Sequence, residues 1–205
     1  MALGLSTESG GGDFTPVVKY DARAGRVFRV DRHQDSAGNY SNDNVDVTSG
    51  FSAAFDFESM EIGWALFAAG VAPSWAMVPL GQPMPAKPSD QHKQAFRMHV
   101  KLGKSSGGDV REFASQAKVV IGAIDAAHTA YEAEKAKHPG QIPILSLKTT
   151  TPVTSGGKGQ SSTNYAPVFE VVKWVDRAAA MAVADAPAEP PPPVTPPTAA
   201  GEAEF

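Results

Sequence analysis

The clearest chemical pattern lies in Phe96-Arg97-Met98-His99-Val100-Lys101-Leu102. Phe96, Met98, Val100 and Leu102 alternate with Arg97, His99 and Lys101, the period of two of a half-buried strand. One face is apolar, and the other carries only side chains that are cationic or can become so. Lys93 precedes the strand and Lys104 follows it, and residues 87 to 118 hold seven basic side chains against three acidic ones. A second cluster, Lys19, Arg23, Arg26, Arg29 and Arg32, is interleaved with Tyr20 and Phe28 and opposed by Asp21 and Asp31. Cations beside aromatic rings suit a single-stranded nucleic acid: the charges hold phosphates while bases stack on rings and guanidinium planes. The alternative is a solvated face whose cations pair with carboxylates on neighbouring strands. Trp64 and Trp75 flank Phe67 and a Gly/Ala/Pro-rich turn and are the candidate stacking platforms, with core packing as the competing role.

Other chemistries lack their residues. Gly103-Lys104-Ser105 is not a phosphate-binding Walker loop, because Met98 stands where the first glycine is required. The Gly-rich stretch Lys104 to Asp109 allows a phosphate contact but reads first as a capped turn. The five histidines fall in no metal spacing, and Asn42 to Asp46 lacks the glycine and closing glutamate of a calcium loop. There is no Gly-x-Ser-x-Gly elbow and no carboxylate dyad. The chain has no cysteine, which excludes disulfides, a thiol nucleophile and a thiolate zinc site. The expectation is a protein without catalysis, cofactor or metal.

The elements that must position these residues are mostly short strands. Val17 to Tyr20 and Gly25 to Val30 flank a turn, Phe51 to Phe57 alternates, and Ile62 to Phe67 and Trp75 to Val78 follow. Prolines at 79, 83, 85 and 88 predict a loop, and Thr149 to Asn164 predicts another between strands at Ile142 to Leu147 and Val168 to Val175. One helix is predicted from a capping box at Asp109 and Glu112 to Lys137, ended by Pro139-Gly140. The fold class is mainly β (β-rich α+β): an OB-like small β-barrel with one long helix between strands and a disordered C-terminal tail.

The 205 residues suit one domain with tails. A flexible lead covers residues 1–13, the nucleic-acid-binding body 14–177, and a Pro/Ala-rich tail 178–205. All 18 basic side chains and 18 of the 22 acidic ones precede residue 181, so the net charge of −4 belongs to the last 25 residues. No apolar run approaches the roughly 20 residues of a membrane span, and no basic, hydrophobic leader opens the chain. A cytoplasmic protein, in a bacterial host, is expected.

The tail ends in Gly201-Glu202-Ala203-Glu204-Phe205 behind a proline-rich tether. A basic, aromatic-containing β-rich body, a flexible linker and an acidic tip ending in Phe resemble bacteriophage and prophage single-stranded-DNA-binding proteins. Asn164 to Glu170, continued through Trp174-Val175, resembles the last body strand of such phage proteins. The resemblance implies an OB-type barrel that binds single-stranded DNA without regard to sequence. It also implies that Glu202, Glu204 and Phe205 dock on replication or recombination proteins, and it allows a homo-oligomer. The runner-up is a phage structural or assembly protein with a β-rich body and no nucleic-acid binding.

Overall fold

Alternating apolar residues build the centre of the sheet. The computed structural model describes residues 16–68, 72–156 and 161–182. The lead 1–13 and the tail beyond residue 182 therefore lie outside the described residues. Nine strands form one sheet: β1 (Val17–Asp21), β2 (Arg26–Gln34), β3 (Tyr40–Asp46), β4 (Ser52–Leu66), β5 (Ser74–Pro79), β6 (Lys93–Leu102), β7 (Val110–Ser115), β8 (Gln141–Ser155) and β9 (Ser162–Asp176). Their order is β3-β2-β1-β7-β6-β4-β8-β9, with β5 also on β4. The sheet curls into an open half-barrel around helix α1 (Lys118–Glu134), a β-rich α+β, OB-like architecture. No helix among the described residues is long and apolar enough to cross a membrane.

Strand β4 makes the curl. Asp56 lies opposite His99 of β6 and Glu61 lies opposite Arg97, so Phe57 to Met60 face the single residue Met98. Such a bulge bends a strand and sharpens its twist. The Ser59 hydroxyl fills the gap by accepting from the His99 amide (3.0 Å) and donating to the Asp56 carbonyl (2.8 Å). Before the bulge β4 pairs with β8, and after it with β5. The two strands predicted at Phe51 to Phe57 and Ile62 to Phe67 are thus one.

Inside the curl, Phe55, Phe96 and Phe113 pack edge to face at centroid distances of 5.5–6.0 Å for the two pairs involving Phe113. Val120, Ile124, Ala127 and Tyr131 bring one helical stripe of α1 onto them. Trp174 packs against this core and stacks between Tyr131 and His138. Tyr20 is buried with it; its hydroxyl donates to the Tyr165 carbonyl (3.0 Å), and burial pushes its pKa up to about 12.

Three local predictions are corrected. Asp109 and Glu112 do not cap a helix: Val110 to Ser115 is β7. Val110, Phe113 and Ala114 have helical spacing, and pairing with β6 on one side and β1 on the other overrides it in favour of a strand. Helix α1 starts eight residues later, and Lys104 to Ser106 is a 3₁₀ turn between strands. Thr149 to Asn164 is no plain loop. Its β-branched residues extend β8 and β9 into an arm paired out to Ser155 and Ser162. Asn42 to Asp46, which lacks the marks of a calcium loop, is part of the edge strand β3. At the other end, helix α2 (Arg177–Met181) stands where the tail was expected to begin at Ala178. The Asp176 carboxylate caps it, accepting from the Ala179 amide (2.8 Å). Arg177 clamps the buried Asp56 carboxylate in a two-pronged pair at 2.8 and 3.0 Å, fixing α2 to the bulge.

Strands β1, β2 and β7 are further joined by charge. Asp31 takes both Arg29 (2.6 Å) and the buried Arg111 (2.8 Å), and Arg111 also bonds the Val30 carbonyl (2.7 Å) and Asp109 (2.8 Å). Hydrogen bonds from Arg29 and then Arg111 hold the Asp31 carboxyl below the usual carboxylate range. A carboxyl lowered by folding contributes stability above its unfolded pKa of about 3.9 and loses it as pH falls through the folded value. Asp31→Asn should therefore lower stability at neutral pH, and its difference from the parent protein should shrink as denaturation is followed below about pH 4.

Two glycines give opposite expectations. A Cβ on Gly63 of β4 would lie 2.0 Å from the Ala76 carbonyl oxygen of β5, whereas one on Gly122 of α1 meets nothing within 4 Å. Gly63→Ala should cost about 1–3 kcal/mol in chemical denaturation. Gly122→Ala should stabilise by about 0.5–1 kcal/mol.

Candidate nucleic-acid interface

The pairing register assigns the basic residues to faces. Val30, Val17, Glu112, His99 and Asp56 lie side by side across β2, β1, β7, β6 and β4 on the outer face. By the two-residue period Lys19, Arg26, Arg97 and Lys101 share that face. Arg29 does not: it lies opposite the core residue Val18, and its guanidinium serves Asp31 and the Ser106 carbonyl (3.2 Å). Arg23 stands in the β1–β2 turn and Lys104 in the turn after β6, both exposed.

The outer face is largely self-neutralised. Arg26 pairs with Asp46 (2.7 Å), and Arg97 pairs with Glu61 directly across the strand while its guanidinium lies 5.7 Å from the Trp75 ring. His99 is flanked in register by Glu112 and Asp56. Here the cross-strand carboxylates take up much of the charge that the alternation of β6 displays. Lys19 and Lys101 make no ion pair among the described residues. Trp75 is half-buried against Phe67 at 5.1 Å, ring edge to ring face.

Three further lysines without an ion pair among the described residues gather elsewhere, at the mouth of the half-barrel. An open groove of about 680 Å³ runs between the loop after β5, the start of β6, the first turn of α1 and the β8–β9 arm. Lys87, Lys93 and Lys118 line it together with Trp64, His92, Gln94, Gln116 and Asn164, and no carboxylate among the described residues does. Each part is held from below. The Trp64 indole N–H donates to the Pro85 carbonyl (2.9 Å), and Lys87 lies 5.6 Å from the ring centre. The buried His92 ring is fixed by Ser89 (2.8 Å) and Ser74 (3.3 Å), which shapes the loop carrying Lys87. The arm is seated by the Tyr165 amide donating to the Ala22 carbonyl (2.6 Å). Gly25, at φ +66°, leaves room there, since a Cβ would meet Tyr165 at 3.0 Å.

The start of α1 adds to the positive field. Its cap is Ala117, which makes no side-chain capping bond, its first turn has no acidic residue, and Lys118 occupies the first helical position. This reverses the usual pattern, because a cation at a helix N-terminus opposes the dipole by about 0.3–1 kcal/mol. An anion in the groove would interact favourably with both the lysine and the dipole.

Of the residues singled out by the sequence, Lys93 and Trp64 come together in this groove. Lys19, Arg26, Arg97, His99 and Lys101 share the outer face, and Arg29 is absorbed in an ion-pair network. Glu202, Glu204 and Phe205 lie outside the described residues. Lys87 and Lys118 belong to the basic stretch 87–118 but stand out only in the fold. The sequence carries no signal for the role of Lys118, because the helix predicted from Asp109 places it in mid-helix and only the fold sets it at the helix start. Comparison with family models, with curated proteins and with solved structures finds no match to this chain.

Proposed function

We propose that this protein binds single-stranded DNA, without catalysis and largely without regard to sequence, in the groove at the mouth of the half-barrel. The observation that carries the reading is a concave surface with three lysines, a pinned tryptophan and no carboxylate among the described residues. Lys87, Lys93 and Lys118 neutralise successive phosphates, and the start of α1 supplies further positive potential. Trp64 offers an aromatic surface to a base. The outer face of β6, with Arg97 and His99 matched by acids, plays a minor part. A setting in phage-type replication or recombination, and recruitment of partner proteins through Glu202, Glu204 and Phe205, follow from the resemblance of the chain alone.

The test is binding of a labelled oligonucleotide across a salt series. Replacing Lys87, Lys93 and Lys118 by Ala should weaken binding and flatten the plot of log affinity against log salt by about 2 units, near 0.7 per phosphate contact on a single strand. Arg97→Ala with Lys101→Ala should leave the slope nearly unchanged; the reverse outcome moves the site to the outer face. Trp64→Ala should cost about 1–3 kcal/mol of binding, and quenching of tryptophan fluorescence by DNA should be lost in Trp64→Phe. A chain ending at residue 182 should bind modestly more tightly at low salt, because the four carboxylates of the acidic segment no longer compete for the lysines. No binding at low salt returns the chain to the structural or assembly reading.

A further inference from the structure

A second cavity of about 340 Å³ opens beside the cationic groove, and Gln94 and Ile121 line both. Its walls are apolar: Met60, Ile62, Phe96, Leu80 and Met84, the last two exposed at 37% and 39%. Asp125 and His128 of α1 complete it. Lys118, Ile121, Asp125 and His128 form one stripe of the helix at spacings of three, four and three. At 1.5 Å per residue, Asp125 lies about 10 Å along the axis from Lys118. The stripe runs from cation through hydrocarbon to carboxylate.

We infer that this slot receives one unstacked base of a strand lying in the lysine groove and favours bases that carry an exocyclic amino group. The inference rests on the single-stranded-DNA reading. The apolar walls suit the faces of a base and not a phosphate, and the Asp125 carboxylate repels phosphates, which keeps the backbone on the lysine side. The side chains of Gln94 and Asp125 have no partner among the described residues. A carboxylate accepts from the amino group of cytosine or adenine, whereas the O4 of thymine would leave two acceptors facing each other. Gln94 both donates and accepts, so it serves whichever edge group lies at the shared rim. In a single strand these edges are free of pairing partners.

The test compares cytosine and thymine homopolymers of equal length on the full chain, at one salt concentration, by fluorescence anisotropy. The ring size is shared, and the two bases differ at C4, at N3 and in the thymine methyl group, so the Asp125→Asn variant isolates the part that the carboxylate reads. The dC oligonucleotide should bind about 5- to 10-fold more tightly, the effect of one good edge contact. Asp125→Asn, an exposed helical substitution, should bring the ratio close to one while keeping the affinity for dT, because an amide can donate to O4. Equal or weaker binding of dC, or a ratio that Asp125→Asn leaves unchanged, overturns the slot while the groove stands. Failure of both oligonucleotides to bind overturns the groove and the slot together.

Discussion

The break in register within β4 is the constraint on which the rest of the molecule depends. Phe57 to Met60 occupy the length that Met98 alone occupies on β6, so β4 cannot continue flat. It turns, leaving its first half to β8 and its second half to β5 and the start of β6. The turn curls the sheet around α1, buries Phe57 and Met60, and exposes a concave mouth where Trp64, Lys93 and the first turn of the helix meet. The Asp56–Arg177 pair and the Ser59 hydroxyl hold the bend from its outer side. Without the extra residues β4 would run on as a flat strand, and nothing would bring Lys118 of the helix beside Trp64 of the strand.

Charge follows the same geometry. On the convex side neighbouring strands place carboxylates next to cations, and pairing between nearby exposed groups is worth at most about 1 kcal/mol but cancels the field beyond them. At the mouth, loop, strand and helix start each contribute one lysine, and no acid among the described residues lines the groove. A chain with equal numbers of basic and acidic groups through residue 180 thus becomes polarised by folding alone. Potential of one sign in a concavity attracts anions more strongly than the same charges spread over a flat face.

How much of this is legible in the sequence depends on whether the signal is local. The alternation of Phe96 to Leu102 and of Phe51 to Phe57 specifies their strands and core faces directly, because a period of two needs no neighbours to be read. The apolar spacing of Val110, Phe113 and Ala114 is helical, and it is overruled only by partner strands, one of them far away in the chain. The arm formed by Thr149 to Ser155 looks like a polar loop because both its faces are wet, so it shows no alternation of apolar and polar residues. Lys93 and Trp64 are recognisable from residue type. Their partners Lys87 and Lys118 are set beside them by a loop and a helix whose placement is tertiary. The pairing of Arg97 with Glu61 is hidden for the same reason, since the partner is 36 residues distant.

Among the described strands β3, β5 and β9 each have one unpaired side, and the two at the ends of the strand path are protected against self-association. At one end β3 exposes every side chain and carries Asp43 and Asp46, so a strand added there would bring carboxylates against its own backbone. At the other end β9 contains Pro167, which removes a donor, and has an extra residue, Val172, where its register with β8 shifts. Neither edge offers the long, flat, uncharged ladder on which sheets extend into fibrils. The curl can therefore stay unclosed, keeping its mouth accessible, without the aggregation that incomplete barrels otherwise invite.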